Sequence, residues 1–339
     1  MKRVHWLRGA VVFATAVAGL CVAAAALPDN EYQRYETLEK TIQNRIRWIY
    51  ERVHDDPAPV DVALIGSSRF GAGVSGPQLE AGLRRLGTPV RAVNFSLPEN
   101  GRDLNWVLLD QLLSTKTPRL LVIGVIEKPG RYGHPAFKYV APAAAVADPA
   151  YFGNLDYLHN LIYLPYRQMR LFAAVHFPEL LGLPLTFDPA RYPGSNLETT
   201  GTTRTGDNIL LARDRVVPRA HLDALVARYR RGLNPPILGS RLADVEFGDE
   251  RTYIRRMVAL ARAKHVRVAF LYMTYFSGGD AIQERPFYTQ YGPIIDASWV
   301  ATHPEWFTDA VHLNKFGAQA LTAWLAPRVA VLLRPEPAA

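Results

Sequence analysis

The sequence predicts an α/β protein, a three-layer α/β/α sandwich with a parallel sheet of about five strands and a long insertion. Three observations carry that expectation. Short apolar runs alternate with segments of helical periodicity over residues 58–127, at the spacing of βαβ units. The alternation lapses and then resumes over 246–335. The first apolar run stops abruptly at Gly66, Ser67 and Ser68, as a buried parallel strand does where it enters a tight turn.

The elements follow in order. Lys2, Arg3 and Arg8 precede an uncharged run from Gly9 to Leu27, so residues 1–28 read as an N-terminal signal-anchor or transmembrane helix with its basic end in the cytoplasm. A secretory signal cut near Ala24 to Ala26 has the same pattern, and either sends the remainder outward. The expected location is inner-membrane anchored with the domain in the periplasm or extracytoplasmic space, or secreted periplasmic if the segment is cleaved. Residues 29–57 are strongly charged with apolar positions at helical spacing, which reads as an amphipathic stalk helix. A first strand is expected over 60–66, a helix from an N-cap at Ser75 to about Leu86, a strand over 90–95, a helix over 102–114 and a nearly continuous apolar strand over 119–126.

Residues 128–245 are rich in Pro, Tyr and Phe and form an insertion or cap of short helices, since a loop that long is not structureless in a compact domain. Its aromatic stripe of Tyr151, Phe152, Tyr157, Tyr163 and Tyr166 reads as packing within that cap. A helix over 249–265, a strand over 266–275 and a last helix from Asn314 or Lys315 to about Leu333 complete the domain made of 58–127 and 246–335.

Composition narrows the function classes. Apolar content of 49% and charged content of 21% are ordinary globular values, which excludes disorder as the default. The net charge of +8 comes from 39 basic and 31 acidic residues, and the arginines are scattered over helices, with no dense basic tract that would favour nucleic acid. Cys21 is the one cysteine, so there is no intrachain disulfide. His134, His159, His176 and His221 lack the partner spacing of a metal cage; no metal and no cofactor is expected.

The chemistry lies at two points far apart in the chain. A hydroxyl just past the first strand stands at the carboxyl edge of the sheet, where open α/β sheets place their sites, and Ser68 is the candidate nucleophile. A serine hydroxyl needs an imidazole to accept its proton and a carboxylate to orient that imidazole. Asp309 and His312 stand three residues apart, about one helical turn, as such a pair. Taken alone, Gly-Ser-Ser is a turn with an N-cap serine; the order of the blocks around strand ends is what favours catalysis. The backbone amides of Ser68 and Ser96, with Asn94 nearby, are candidate oxyanion donors. Arg69, Glu127, Trp299 and Trp306 are candidate substrate-binding residues, for which helix covering, a solvated strand end and ordinary loop packing are the bland alternatives.

G-S-S at 66–68, N-F-S at 94–96 and D-A-V-H-L-N at 309–314 resemble the blocks of the SGNH (GDSL-type) hydrolase superfamily. The resemblance implies Ser68 as nucleophile, Asp309 and His312 as its partners, and Ser96 at the place of an oxyanion-hole glycine. Ser67 departs from the usual Asp, and the third strand ends in G-V-I-E at 124–127 with no asparagine, placing Glu127 there instead. Together with the N-terminal anchor and the insertion, the blocks resemble the membrane-anchored branch that acylates exopolysaccharides or cell-wall polymers with a membrane O-acyltransferase partner. The implied function is acyl transfer to, or ester hydrolysis on, O-acyl groups of a carbohydrate polymer through an acyl-enzyme. The alternative is a non-catalytic carbohydrate-binding or scaffold component that kept the sheet and lost a working oxyanion hole.

Overall fold

A computed structural model describes residues 2–148, 154–204, 209–233, 236–279 and 281–334. Met1, Tyr151, Phe152 and the domain's expected last residue, Pro335, lie outside the described residues.

The chain begins with helix α1 (Lys2–Ala25), and then two shorter helices, α2 (Glu31–Glu36) and α3 (Arg45–His54), lead to strand β1 (Val62–Ile65). Next come α4 (Ser68–Gly73), α5 (Gly76–Arg85), β2 (Ala92–Asn94), α6 (Arg102–Thr115) and β3 (Leu120–Val125). The insertion holds α7 (Phe137–Val140), α8 (Ala143–Val146), α9 (Tyr157–His176), α10 (Pro178–Leu181), a hairpin of β4 (Thr202–Arg204) and β5 (Leu210–Ala212), and α11 (Arg219–Arg231). The chain ends with α12 (Ala243–Glu246), α13 (Gly248–Ala263), β6 (Arg267–Tyr272), α14 (Arg285–Tyr288), β7 (Ile294–Asp296) and α15 (Lys315–Leu333).

Five strands form one parallel sheet in the order β2-β1-β3-β6-β7, with Ala63 beside Val93 and Leu121, Ile123 beside Phe270, and Leu271 beside Ile295. Successive residues of a strand point to opposite faces, and both faces here are apolar. Ala63, Ile65, Leu121 and Ile123 pack against Ile46, Leu108, Leu112, Ile254 and Met257 of α3, α6 and α13. Val62, Leu64, Leu120 and Val122 face Leu79, Leu83, Leu321, Leu325 and Val329 of α5 and α15. Each such side chain contributes roughly 1.5–3 kcal/mol by leaving water. The α/β/α sandwich is thus dictated by continuous apolar strands that must be covered twice.

Ser75 caps α5 as expected, its hydroxyl accepting from the Gln78 amide at 3.1 Å, and Asn314 caps α15 by accepting from the Phe316 and Gly317 amides. The fifth strand, β7, is a three-residue element inside the aromatic segment before the last helix and was not foreseen as a strand. Residues 29–57 do not project as a stalk. Ile46, Trp48, Ile49 and Val53 of α3 are buried in the main core, and buried Arg52 donates to the carbonyls of Ser195, Ala58 and Pro59 at 2.8, 2.8 and 2.6 Å. The charged pattern conceals this because three carbonyls, rather than water, satisfy the guanidinium.

Among the described residues, two helices are long and apolar enough to cross a membrane. Half of the α15 span is buried against the sheet layer, whereas no residue of Trp6–Ala25 of α1 is buried and only its end, at Ala24 and Ala25, is partly covered. An exposed N-terminal apolar helix of this length is compatible with a signal anchor.

Candidate active site

Strand β1 delivers the site. Gly66 ends it with Phe70 folded back so closely that an added Cβ would lie 2.9 Å from the Phe70 Cβ; Gly124 of β3 meets the same ring at 2.8 Å. These two glycines let the turn and α4 seat directly on the sheet. Ser68 is the first residue of α4, and its amide, with no intrahelical acceptor, has no hydrogen-bond partner among the described residues. The Ser67 carbonyl accepts from the Phe70 and Gly71 amides and closes the helical turn.

The two distant points of the chain meet here. His312 Nε2 lies 2.8 Å from Ser68 Oγ, and His312 Nδ1 lies 2.8 Å from Asp309 Oδ2. With Nδ1 donating to the carboxylate, Nε2 accepts the serine proton. The expected helical turn between Asp309 and His312 is instead a tight loop pinned by a bridge between Phe307 and Leu313. Asp309 Oδ1 accepts from the Val311 and His312 amides at 2.8 and 2.9 Å, leaving Oδ2 for the imidazole. Burial alone would raise the Asp309 carboxyl, but the hydrogen bond and charge of His312 and the two amides outweigh it and hold it at about 2. It is therefore an anion at every physiological pH.

The other candidates are placed differently. Asn94 is buried, with Nδ2 donating to the Phe70 and Val74 carbonyls and Oδ1 accepting from the Ser96 amide at 3.0 Å. Both the Asn94 side chain and the Ser96 amide are consumed in fixing the end of β2 to α4, and neither is open to an oxyanion. The Ser96 hydroxyl is buried without a partner among the described residues. Among these candidates, the Ser68 amide is the free donor.

Arg69 and Glu127, expected to meet substrate, meet each other. Nη1 and Nη2 of Arg69 donate to the two carboxylate oxygens at 2.6 and 3.1 Å, and the Tyr229 hydroxyl hydrogen-bonds both residues. Burial pushes the Glu127 carboxyl up, yet Arg69 outweighs it and holds the group below the usual carboxylate range. Trp299 packs edge-on against Trp306 and tilted against Trp324, and Trp306 stacks on His303. Neither tryptophan lines the cavity at Ser68; apolar packing of the last loop accounts for them.

That cavity, of about 400 Å³, is walled by Ser68, Gly71 and His312 on the sheet side, by Leu197, Thr199, Thr203 and Leu210 of the insertion, and by Asn44 and Arg45 at the start of α3. Two arginines line it that the sequence did not single out. Arg213, at the end of the β4–β5 hairpin, is 8% exposed, and Arg45 comes from the supposed stalk. Nothing in their local sequence marks them, because each reaches Ser68 only through the tertiary fold.

Among the described residues no group of three or more His, Cys, Asp or Glu is arranged to hold a metal ion. His134 is buried, its Nε2 bonded to the Pro98 carbonyl and its Nδ1 accepting from the Ala136 amide, and burial lowers it to about 4.

No protein-family model matches the chain, and no curated protein is significantly similar to it. The class is defined by fold and geometry alone: a parallel-sheet α/β protein carrying a hydrogen-bonded Ser-His-Asp constellation at the carboxyl edge of its sheet.

Proposed function

We propose that the protein is an extracytoplasmic serine acyltransferase or esterase acting on O-acyl groups of a carbohydrate polymer through an acyl-enzyme on Ser68. The observation that carries this reading is the pair of 2.8 Å contacts in series, from Ser68 to His312 to Asp309, opening on a cavity. The polymer class and a membrane O-acyltransferase partner come from the resemblance of the 66–68, 94–96 and 309–314 blocks to the SGNH branch. The apolar α1, with Lys2, Arg3 and Arg8 before its uncharged run, supports anchoring in the inner membrane with the domain outside.

Ser68 Oγ attacks the ester carbonyl carbon as its proton passes to His312 Nε2, and Asp309 supports the imidazolium without taking the proton. The Ser68 amide points the first hydrogen bond at the developing oxyanion. Collapse of the tetrahedral intermediate breaks the ester C–O bond, and the departing alkoxide takes the proton from His312. In the second half, a sugar hydroxyl or water gives its proton to His312, attacks the acyl carbon and frees Ser68. The insertion roofs the cavity with Thr203 and Leu210, and the extent to which it excludes water sets transfer against hydrolysis.

A second reading, a non-catalytic carbohydrate-binding or scaffold component, is favoured by one observation: Asn94 and the Ser96 amide are spent internally, so the hole has fewer donors than the superfamily pattern. Incubating the full-length protein in detergent with p-nitrophenyl acetate separates the two. The enzyme reading expects release of p-nitrophenol and one acetyl group on the peptide containing Ser68; neither product supports the scaffold. Adding a sugar acceptor that accelerates deacylation favours transferase over esterase.

A further inference from the structure

The cavity at Ser68 holds an unbalanced charge. Arg213 is almost wholly buried; among the described residues its Nε has no hydrogen-bond partner, and its one side-chain bond is a long 3.4 Å contact from Nη1 to the Leu313 carbonyl. Arg45 likewise has a buried, unpartnered Nε; its Nη2 donates to the Asn94 and Ser96 carbonyls, and its Nη1 lies 3.4 Å from where a Cβ on Gly71 would stand. Neither guanidinium lies within ion-pair distance of a carboxylate among the described residues.

The acidic groups near the cavity form no ion pair with them. Glu198 is occupied, accepting from the Ser75 hydroxyl at 2.5 Å and from the Thr200 amide and hydroxyl at 2.8 and 2.6 Å. Asp309 is committed to His312 and two backbone amides, and its charge, acting on Arg213 from beyond ion-pair distance, does not offset the burial of that guanidinium. Glu99 makes no ion pair with either arginine, and burial moves its carboxyl toward the neutral form. Burying like charges together is unfavourable unless an anion joins them, and the planar guanidinium fork matches carboxylate and phosphate oxygens.

We infer that Arg45 and Arg213 bind an oxyanion on the substrate, a carboxylate or phosphate seated beside Ser68, so that the polymer acylated or deacylated here is anionic. The siting beside the nucleophile rests on the proposed acyl chemistry; the anion site itself does not.

Glucuronate, its neutral methyl ester and inorganic phosphate serve as probes on the full-length protein, read by thermal unfolding and by protection of Ser68 from a fluorophosphonate. The expected result is stabilisation and protection by an anion at concentrations about tenfold below those at which the methyl ester acts. That preference should vanish in Arg213→Gln and Arg45→Gln and survive in part in Arg45→Lys, which retains the charge if Arg45→Gln does not fold. A response to glucuronate alone assigns a carboxylate, and a response to phosphate alone a phosphate. Equal responses to glucuronate and its methyl ester, or a preference undiminished in Arg213→Gln, overturn the inference. Labelling of Ser68 without anion preference sinks the anion site alone, whereas anion preference without any labelling sinks the acyl chemistry and leaves the site standing.

Discussion

Arg69 and Arg213 are both buried, at 6% and 8% exposure, and Arg45 is half-buried; the first is treated oppositely to the other two. Arg69 has a bidentate carboxylate partner and a tyrosine hydroxyl, so its charge is answered from within the protein. Arg45 and Arg213, on the cavity side, are answered by carbonyls and orphaned nitrogens. The difference separates a charge that holds the fold together from one held ready for a ligand. A closed pair costs the protein when one member is lost; an open charge already costs it, and its removal should be tolerated.

The largest effect is therefore expected on the closed side. Glu127→Ala leaves Arg69 buried without its counter-ion and should destabilise the protein by roughly 3–5 kcal/mol in denaturant unfolding. The double replacement Arg69→Met with Glu127→Leu should recover most of that loss, and failure to do so would mean that the pair is not what Arg69 contributes.

Asp103, away from the cavity, is a buried acid whose burial is answered by a proton. Burial raises it from 3.8 to about 7, against the pull of the His134 and Leu104 amides, with Asp249 buried beside it. A raised folded-state value means that the native protein holds a proton which the unfolded chain has released. Stability should then fall as pH rises from about 4 to about 7, by at most about 1.4 kcal/mol per pH unit for this group. Asp103→Asn should flatten that dependence in unfolding curves taken across the window; an unchanged slope would place the titration elsewhere.

Smaller effects sharpen the contrast. Ser75→Ala removes an N-cap and one of the hydroxyls that engage Glu198, and should cost about 1 kcal/mol in thermal unfolding. Arg213→Gln should stay within about 0.5 kcal/mol of the parent, or exceed it, because no ion pair is broken. A loss as large as that of Glu127→Ala would show Arg213 to be a structural residue after all.

What the sequence disclosed follows the same division. Strands β1, β3 and β6 and helices α6, α13 and α15 were legible because each is a local periodic or continuous apolar pattern, and Ser68, Asp309 and His312 because they bracket those elements in order. Strand β7 was hidden by its three residues, too few for periodicity to register. Helix α3 looked solvated because its charged residues Glu51 and Arg52 are buried, answered by Tyr32 and Arg47 and by the carbonyls of Ala58, Pro59 and Ser195 rather than by water. The partners of Asn94, Ser96, Arg69 and Glu127 were not legible for one reason: which partner consumes a polar group is settled by packing. Arg45 and Arg213 carry no local mark at all.

The central claim is that the Ser68 hydroxyl is activated by His312. Reacting the full-length protein, Ser68→Ala and His312→Ala with a fluorophosphonate, and measuring the rate and site of modification by peptide mass analysis, tests it most directly. The account predicts a single adduct on Ser68, none on Ser68→Ala, and labelling slowed by at least about a hundredfold in His312→Ala. Modification of Ser68 at the same rate with or without the imidazole, or no modification of the folded parent protein, would contradict it.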